Sequence, residues 1–379
     1  MGPFASRSWV EISLTQIARN FLAVRDVVGP EVEVMPVVKA DAYRHGAVEV
    51  SRTLAGAGAR WLAVSNVEEG AILRDRGITA RILVMADFLP SERAGHLDYN
   101  LTPVIHSLGD IAAWDRMAGA RGSVADYHLK IDSGMGRLGT REPASAILEA
   151  VTAARNARLE GLMTHFASAA NYESMQTEDQ LRVFQSICSE LARAGVHPPF
   201  VHSASSIPVS YGRKDAWQRM VRPGYAIYGY VSPVTRGTAP PQLLQVRPAL
   251  TWKTAVLAVK DLPAGALVGY GGMYRTTQPT RIAVLAAGYA DGIPHRLSNK
   301  GRVIAKGHFA PILGAVSMDL TTIDITNCPP LEPGEAVTLL GTEGSASIDA
   351  QQIARVAGTI AYGVLCGIHA RVKRVYVDE

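Results

Sequence analysis

Between about residues 34 and 230, short apolar runs rich in β-branched residues alternate with stretches whose apolar side chains recur at helical spacing. This alternation is typical of βα units arranged around a parallel sheet. The apolar runs predict eight strands, at residues 34–38, 61–64, 81–85, 101–105, 126–131, 159–165, 200–202 and 220–228. Helices are predicted between them, for example at residues 67–76 and 177–194. Eight such units predict a (β/α)8 TIM-type barrel, in which catalytic groups gather at the carboxyl ends of the strands.

The pattern changes near residue 232, where prolines and glycines mark a linker-like segment over residues 233–241. Beyond it helical spacing largely disappears, and glycine and proline punctuate short apolar runs, which is typical of sheet. Strands are predicted at residues 255–259, 281–285, 302–304, 321–325 and 336–340, with one helix near residues 349–356. We therefore expect an α/β protein with a barrel domain at residues 11–235 and a mostly-β domain at residues 236–379.

Length and composition agree with two globular domains. The chain has 379 residues, which exceeds the size at which a single hydrophobic core usually stops growing. Its hydrophobic content of 47% and charged content of 19% are ordinary for a globular protein. The net charge of +4 is small and the basic residues are dispersed, so we expect no nucleic-acid partner and no membrane partner.

Targeting signals and cysteines indicate the compartment. Residues 1–9 contain no apolar signal-peptide core, and no apolar run approaches transmembrane length, so we expect a cytoplasmic protein. The three cysteines, Cys188, Cys328 and Cys366, lie far apart and in no metal-ligand spacing. They favour small core residues in a reducing compartment over a disulfide framework, and we expect no metal site.

Lys39 is the first candidate for chemistry, because it ends the apolar run at residues 34–38 and opens a short polar loop. A lysine held at the end of a buried strand is partly desolvated, which favours its neutral amine and allows it to condense with a carbonyl as a Schiff base. An isolated lysine in this position usually keeps its ammonium group in water. The other motifs of the chain therefore decide whether Lys39 is predicted to be a reactive amine or a solvated surface residue.

Seven further motifs accompany Lys39 along the chain. They are KIDSGMGRLG at residues 130–139, MTHFA at 163–167, RPGYAIYG at 222–229, GYGG at 269–272, GYADG at 288–292, SMD at 317–319 and TIAY at 359–362. Their order and spacing resemble the alanine racemase family, and the resemblance extends from near the N-terminus to near the C-terminus. It also implies that the strand-like run at residues 8–12 joins the second domain.

The resemblance implies an amino-acid racemase that uses pyridoxal phosphate (PLP). Removing the α-proton of an amino acid leaves a carbanion too basic to form without an electron sink, which this cofactor supplies. By resemblance, Lys39 carries the cofactor and then acts as one base, and Tyr270 from the partner subunit acts as the other. An obligate homodimer with shared active sites follows, with L-alanine and D-alanine as the leading substrate pair and peptidoglycan as the destination of D-alanine.

Two residues are expected to tune this chemistry. A phenol titrates near ~10 in water, so we expect positive charge at His165 and Arg222 to lower the pKa of Tyr270. Arg222 also corresponds to the arginine that meets the pyridine nitrogen of the cofactor. Because a guanidinium has no proton to spare, it would keep that nitrogen unprotonated and limit side reactions such as transamination.

The other site residues are also assigned by resemblance. Arg137 corresponds to the arginine that contacts the phenolic oxygen of the cofactor and the substrate carboxylate, and Lys130 to a lysine that is carbamylated in many relatives to position that arginine. The cofactor phosphate is expected where the last βα loops meet the first loop. The residues expected to bind it are Ser205, Ser206, Gly224, Ile227 and Tyr43.

Residues of the second domain are implied to bind the substrate. The backbone N–H of Met318 corresponds to a donor to the substrate carboxylate, with Asp319 beside it. Tyr289 and Tyr362 match a narrow entrance, and Tyr362 is also expected near the cofactor.

The chain departs from the family pattern around the site. The departures are Asp41 and Arg44 in place of asparagine and glycine, a run at residues 203–206 without the usual asparagine, His295 and Ala315 in place of arginines, and Ala361 and Gly363 in place of larger polar residues. These changes predict an entrance that is roomier and less positive. They motivate the hypothesis that the enzyme accepts amino acids other than alanine, such as serine, lysine or arginine.

Other functions fit the same residues less well. A PLP-dependent decarboxylase or aldolase could share the barrel, but a decarboxylase needs an acidic pocket and a catalytic cysteine, and no suitable cysteine motif lies beside Tyr270. A non-catalytic PLP carrier is a barrel alone, which the second domain argues against. An interaction protein that lost its chemistry would not be expected to retain Lys39, His165, Arg222 and Tyr270.

Overall fold

Eight strands form the barrel unit of the computed structural model, which describes residues 6–378. Strand β1 (Ser8–Ser13) and helix α1 (Leu14–Val28) come before them in the chain. The barrel strands are β2 (Glu33–Val34), β3 (Trp61–Val64), β4 (Arg81–Val84), β5 (Thr102–Ile105), β6 (Ala125–Lys130), β7 (Ala157–Met163), β8 (Phe200–His202) and β9 (Met220–Val221). Strands β3 to β8 pair in chain order as one parallel sheet, and β2 pairs in parallel with β9.

Backbone hydrogen bonds at two joints close these strands into a ring. The N–H of Val38 donates to the carbonyl of Ala63 at 2.8 Å, which joins the chain after β2 to β3. The N–H of Arg222 donates to the carbonyl of Ala204 at 2.9 Å, which joins the ends of β8 and β9. The carboxyl ends of the strands therefore surround one end of a barrel, confirming the predicted α/β barrel architecture.

Helices cover the strands of the barrel. They are α2 (Lys39–Arg44), α3 (Ala47–Gly56), α4 (Val67–Asp75), α5 (Arg93–Asp98), α6 (Leu108–Ala120), α7 (Ala144–Ala153), α8 (Gln176–Arg193) and α9 (Ser206–Ser210), with a 3-10 turn at Lys214–Ala216. Asn66 is the N-cap residue of helix α4, and its side chain accepts a hydrogen bond from the N–H of Glu69 at 2.8 Å. Helix α8 buries Phe184 and Leu191 in the same core as Leu129 of β6. Both helices lie within a residue or two of their predicted positions.

The first and last barrel strands are much shorter than predicted. Strand β2 stops at Val34 because Pro36 has no N–H to donate to a neighbouring strand. Strand β9 stops at Val221, since Pro223 and Gly224 turn the chain, and the N–H of Ile227 donates to the carbonyl of Gly224 at 2.9 Å. Hydrophobic runs therefore overestimated the lengths of β2 and β9, the two strands that are followed by the candidate residues Lys39 and Arg222.

The segment after Lys39 is a left-handed helical turn, where the sequence predicted a polar loop. Residues 40–44 all have φ between 52° and 66°, a region that costs a non-glycine residue about 1–2 kcal/mol. The carboxylate of Asp41 accepts a hydrogen bond from the N–H of Ala47 at 2.8 Å, and an aspartate tolerates this conformation better than most residues. Hydrophobic periodicity reports no handedness, so this turn could not be read from the pattern.

A second compact unit comprises residues 6–15, 43–46 and 248–378. Besides β1, its strands are β10 (Leu250–Leu262), β11 (Leu267–Val268), β12 (Tyr274–Arg275), β13 (Thr280–Leu285), β14 (Arg302–Ala305), β15 (His308–Pro311), β16 (Thr321–Asp324), β17 (Ala336–Glu343), β18 (Ala346–Ile348) and β19 (Lys373–Val377). Two helices, α10 (Ala350–Ala357) and α11 (Ala361–Cys366), and 3-10 turns at Tyr270–Gly272 and His295–Leu297 complete it. The unit is mostly sheet, as the sequence predicts.

Strand β1 lies inside the main sheet of this β unit. It pairs antiparallel with β10 and parallel with β19, so strands from opposite ends of the chain are neighbours. Strand β10 is longer than its predicted core at residues 255–259 because it also pairs with β13 and β17. Helix α10 is capped at its N-terminus by Asp349, which accepts a hydrogen bond from the N–H of Gln352, and at its C-terminus by Gly358, with φ of 64°.

The three cysteines carry free thiols. Within residues 6–378, no helix is both long enough and apolar enough to cross a membrane. Residues 1–5, which belong to the segment where no signal peptide is expected, lie outside the described range.

Candidate active site

Lys39 is held at the carboxyl end of the first barrel strand. The preceding Val38 is buried, and the hydroxyl of Tyr228 donates to the carbonyl of Val37 at 2.8 Å. The backbone that leads to Lys39 is therefore fixed by the contacts of the two residues before it. The side chain itself is half-buried, as expected of an amine that must meet a carbonyl.

Arg222 is the most deeply buried cation of the site, with an exposed fraction of 3%. One of its terminal nitrogens, Nη2, donates to the carbonyls of Thr164 at 2.7 Å and Ser203 at 3.2 Å. The other, Nη1, lies 2.8 Å from His202 Nδ1. Burial lowers the pKa of Arg222 to about 9, so its guanidinium remains charged at neutral pH.

Positive charge surrounds His165. Burial and then the charges of Arg222, Lys130, Arg137 and Lys39 lower the pKa of His165 to about 3. The imidazole is therefore neutral at physiological pH, and of the two residues expected to lower the pKa of Tyr270 only Arg222 carries positive charge.

The four cations lack carboxylate partners. Within residues 6–378, no carboxylate oxygen lies within 4.0 Å of a side-chain nitrogen of Lys39, Lys130, Arg137 or Arg222. Burial, followed by the charges of Arg222 and Arg137, lowers the pKa of Lys130 to about 8. Lys130 and Arg222 are buried, and unpaired buried cations are costly unless an anion joins them, so this donor set fits a ligand that carries phosphate and carboxylate groups.

Arg137 lies in a loop that Asp132 organises. The Oδ1 atom of Asp132 accepts hydrogen bonds from the N–H groups of Met135 and Gly136, both at 2.9 Å, and Oδ2 accepts one from Arg141 at 2.8 Å. Burial raises the pKa of Asp132, but these hydrogen bonds outweigh burial and lower it to about 2. No role was predicted for Asp132 from the sequence, although its place before a Ser-Gly pair is typical of such a turn.

The expected phosphate residues converge beside α9. The N–H groups of Gly224 and Ala226 donate to the hydroxyl of Ser206 at 3.1 and 3.2 Å, which joins the segment after β9 to the start of α9. Ser205 is the N-cap residue of α9, and its side chain makes no capping hydrogen bond. The structure thus brings Ser205, Ser206, Gly224 and Ile227 to one corner of the barrel unit.

The remaining predicted residues belong to the β unit. Tyr270 opens the 3-10 turn and is 78% exposed. Gly269, immediately before it, has φ of 74°, and a Cβ atom there would lie 3.2 Å from the backbone nitrogen of Ala315. The backbone beside the expected second base therefore packs against the segment that carries one of the departures from the family pattern.

Tyr289 and Met318 lie on adjoining backbone segments. The N–H of Tyr289 donates to the carbonyl of Ser317, and the N–H of Ala290 donates to that of Met318, both at 2.9 Å. A Cβ atom on Gly288 would approach the carbonyl oxygen of Ser317 to 2.2 Å, so this approach requires glycine.

Arg371 holds Asp319 in place in the β unit. Its Nη2 group donates to the carboxylate of Asp319 at 2.8 Å, while Nε and Nη2 also form a pair of hydrogen bonds with Asp291 at 2.7 and 2.8 Å. Tyr362 lies near Tyr43, with ring centroids 6.0 Å apart. Burial raises the pKa of Tyr43, so it remains a protonated phenol able to donate. Arg371 was missed in the sequence because no motif pairs it with Asp291.

Comparison with known proteins covers both units. The model of the alanine racemase N-terminal domain matches residues 12–233, and that of the C-terminal domain matches residues 249–376. The chain is 39% identical over 373 residues to the alanine racemase of Halothermothrix orenii, an alignment that covers 98% of this chain and 97% of the relative.

Solved structures agree with this comparison. The structure of alanine racemase from Bacillus anthracis with bound L-Ala-P superposes with a TM-score of 0.89 at 34% identity, covering 99% of this chain and 96% of that one. The structure of alanine racemase from Bartonella henselae with covalently bound pyridoxal phosphate has a TM-score of 0.87 at 27% identity. The match covers 98% of this chain and 100% of that one. On both units and over nearly its whole length, the chain belongs to the alanine racemase family.

Proposed function

We propose that this protein is a PLP-dependent racemase that interconverts L-alanine and D-alanine by a two-base mechanism. The observation that carries the proposal is the set of four cations around His165, unpaired by carboxylates and placed at the carboxyl ends of barrel strands. Relatives named alanine racemase and a neighbour with covalently bound pyridoxal phosphate support the same reaction.

The residues present fit the cofactor. Lys39 would attach it, Arg222 would meet its pyridine nitrogen and Arg137 its phenolic oxygen. Its phosphate would be bound by Ser205, Ser206, Gly224, Ile227 and Tyr43, with Tyr362 close by. When bound, the cofactor supplies the electron sink that makes the α-proton acidic. Arg222 remains protonated and has no proton to give, so it holds the pyridine nitrogen unprotonated.

Two groups would move the α-proton, one on each face of the substrate. The amine of Lys39 serves one face, and the phenol of Tyr270 serves the other. Arg137 and the backbone N–H of Met318 would bind the substrate carboxylate, with Asp319 and the entrance residue Tyr289 beside it. Fixing the carboxylate orients the Cα–H bond toward a base, which is the geometric requirement of proton transfer.

We also propose a homodimer in which each site combines the barrel of one subunit with Tyr270 of the other. The 78% exposure of Tyr270 supports this, because a general base that faces solvent cannot act on a substrate that must be shielded from water. A subunit by itself would then lack its second base. Free thiols at the cysteines are in keeping with a cytoplasmic enzyme that supplies D-alanine for peptidoglycan.

A racemase of broader specificity is the second candidate. His295, which replaces an arginine of the family pattern, lies against the entrance tyrosine, with its ring centroid 6.3 Å from that of Tyr289. The imidazole ring of His295 and the short side chain of Ala315 would leave more room than two arginines. Serine, lysine and arginine are the substrates to compare with alanine.

Proton NMR in D2O tests both candidates. The PLP-loaded protein is incubated with each L-amino acid, and both loss of the α-proton signal and chirality of the product are followed. Exchange together with accumulation of D-alanine supports the proposal, and faster turnover of another amino acid supports the second candidate. Exchange without inversion would remove the role of Tyr270, and no exchange with any substrate would contradict both.

A further inference from the structure

A line of buried polar side chains extends from Arg222 through the interior of the barrel unit. Behind Arg222, His202 Nε2 lies 2.8 Å from His128 Nδ1, and His128 Nε2 lies 3.6 Å from the carboxylate of Glu160. His128 and His202 are fully buried, and Glu160 is 7% exposed. None of the residues behind Arg222 was singled out in the sequence, and the proposed mechanism uses none of them.

The contacts determine which nitrogen carries each proton. A guanidinium only donates, so His202 Nδ1 must be the acceptor of the Arg222 hydrogen bond. Burial holds the pKa of His202 well below its ordinary value, so this imidazole is neutral and carries its single proton on Nε2. That N–H donates to His128 Nδ1, which leaves the proton of His128 on Nε2, facing Glu160.

Glu160, at the end of the line farthest from Arg222, is held by a charged partner. Arg81 forms two hydrogen bonds with the carboxylate of Glu160, at 2.6 and 2.7 Å, and its guanidinium lies 4.0 Å from the ring centroid of Trp61. Asp126 also lies 3.6 Å from Arg81 and pairs with Arg158. Burial would raise the pKa of Glu160, but the nearby His128 and the two hydrogen bonds from Arg81 outweigh it and keep the carboxylate charged.

We propose that His128 and Glu160 are positioning residues, which fix His202 as the Nε2–H tautomer and thereby hold the guanidinium of Arg222 at the pyridine nitrogen of the cofactor. The reverse tautomer of His202 would place an N–H against the N–H of Arg222. Two donors cannot share a hydrogen bond, so Arg222 would have to move. A carboxylate that faces His128 Nε2 excludes this reversal, in the way that partners of metal-bound histidines fix the ring.

Histidine ¹⁵N NMR of the unmodified protein tests the tautomer directly. The His202 signals are assigned by their loss in a His202→Gln variant, and proton attachment is read separately for Nδ1 and Nε2. We expect Nε2 protonated and Nδ1 unprotonated. A proton on Nδ1 would overturn the proposal, and this measurement requires no folded variant at Glu160 or His128.

Substitutions then test the line of contacts. Glu160→Gln removes the charge at similar shape, and His128→Leu removes the acceptor for His202; both are expected to shift His202 toward the Nδ1–H tautomer. In His128→Asn the amide oxygen takes about the place of Nδ1, so the wild-type tautomer should be retained. Arg158→Gln, which breaks only an exposed ion pair at the same end of the barrel, is the matched control.

Kinetics and absorbance supply a second readout, which rests on the proposed function. We expect kcat to fall about 10–100-fold in Glu160→Gln and His128→Leu at unchanged KM, with an altered pH dependence of the bound-cofactor spectrum. His128→Asn should recover most of the lost kcat. An unmoved tautomer in both variants would overturn the proposal. Absence of racemisation in the wild type would contradict only the proposed function, since the NMR result would stand.

Discussion

Glu69 Oε1 accepts a hydrogen bond from the backbone N–H of Ala40 at 2.7 Å, so a side chain of α4 fixes the residue that follows Lys39. The second oxygen of the same carboxylate accepts one from the N–H of Ser65 at 2.7 Å. One carboxylate thus ties the end of β3 to the start of the left-handed turn. The position of Lys39 therefore depends on these two hydrogen bonds as well as on the strand that precedes it.

Glu69→Ala should therefore weaken both the fold and the site. Two backbone N–H groups lose their acceptor, which should lower the free energy of unfolding by about 1–3 kcal/mol. Lys39 should also be held less firmly once these hydrogen bonds are lost. The fraction of protein that binds PLP, measured from the absorbance of the cofactor, should therefore fall. Urea titration measures the first effect. The neighbouring exposed residue provides a control, because Glu68→Ala should change neither quantity, and equal effects of the two variants would contradict this role.

Mixing two inactive variants tests the shared site. Lys39→Ala and Tyr270→Phe should each lower racemisation by about 10²–10⁴-fold, since each removes a proton-transfer group. Equal mixing with subunit exchange makes about half of the dimers hybrid, and each hybrid has one complete site, so activity should return to about a quarter of the wild type.

The mixing experiment has an internal control in Tyr99→Phe, which removes a phenol from an exposed surface of the barrel unit and should retain full activity. Recovery is expected only after subunits exchange, which native mass spectrometry can follow. Hybrid dimers that form without any return of activity would show that Lys39 and Tyr270 do not act across subunits.

Lys130 should react reversibly with carbon dioxide. Carbamate formation needs the neutral amine, and a pKa lowered to about 8 makes that form accessible near neutral pH. The carbamate signal in ¹³C NMR with labelled bicarbonate should therefore grow as the pH rises through 8 and fade as it drops below, where the ammonium form dominates. Lys130→Arg should abolish the signal and the exposed Lys214→Arg should not; a signal that survives Lys130→Arg would refute the assignment.

The same substitution should have opposite effects in helices of opposite hand. Ala40 has φ of 54° and is exposed, so Ala40→Gly should relieve strain and stabilise the fold by roughly 0.5–1 kcal/mol after the entropy of glycine is subtracted. Ala112 is exposed within the ordinary helix α6, and Ala112→Gly should destabilise by about 1 kcal/mol. Thermal unfolding of both variants measures the difference, and destabilisation in both would argue against the left-handed turn.

Sequence patterns predicted the barrel well where strands are buried on both faces and bounded by helices. Strand β3 at Trp61–Val64 and β8 at Phe200–His202 have the predicted ends, because polar and turn-forming residues follow them. The ends of β2 and β9 were wrong, since apolar residues continue past the point where Pro36 and Pro223 interrupt the strand. Hydrophobicity measures burial, and residues in turns can be as buried as residues in strands.

The candidate site was predictable to the extent that it rests on motifs. Lys39, Arg222 and Ser206 were named from short runs. The structure places Arg222 directly after β9, and Lys39 and Ser206 at the first residues of α2 and α9. Residues such as Glu160 and His128 were not found, because their partners lie on other strands, 32 residues or more away in the chain. Only the parallel register of neighbouring strands brings such residues together.

The place of β1 between β10 and β19 has a consequence for how the protein is made. Strand β1 precedes the barrel in the chain and both of its neighbours follow it, so β1 must wait unpaired while more than two hundred residues of the barrel are synthesised. During that interval an unpaired apolar strand is exposed to other chains and to chaperones. The barrel can form as soon as its own residues are synthesised, whereas the sheet around β1 is completed only after β10 and β19 have been made.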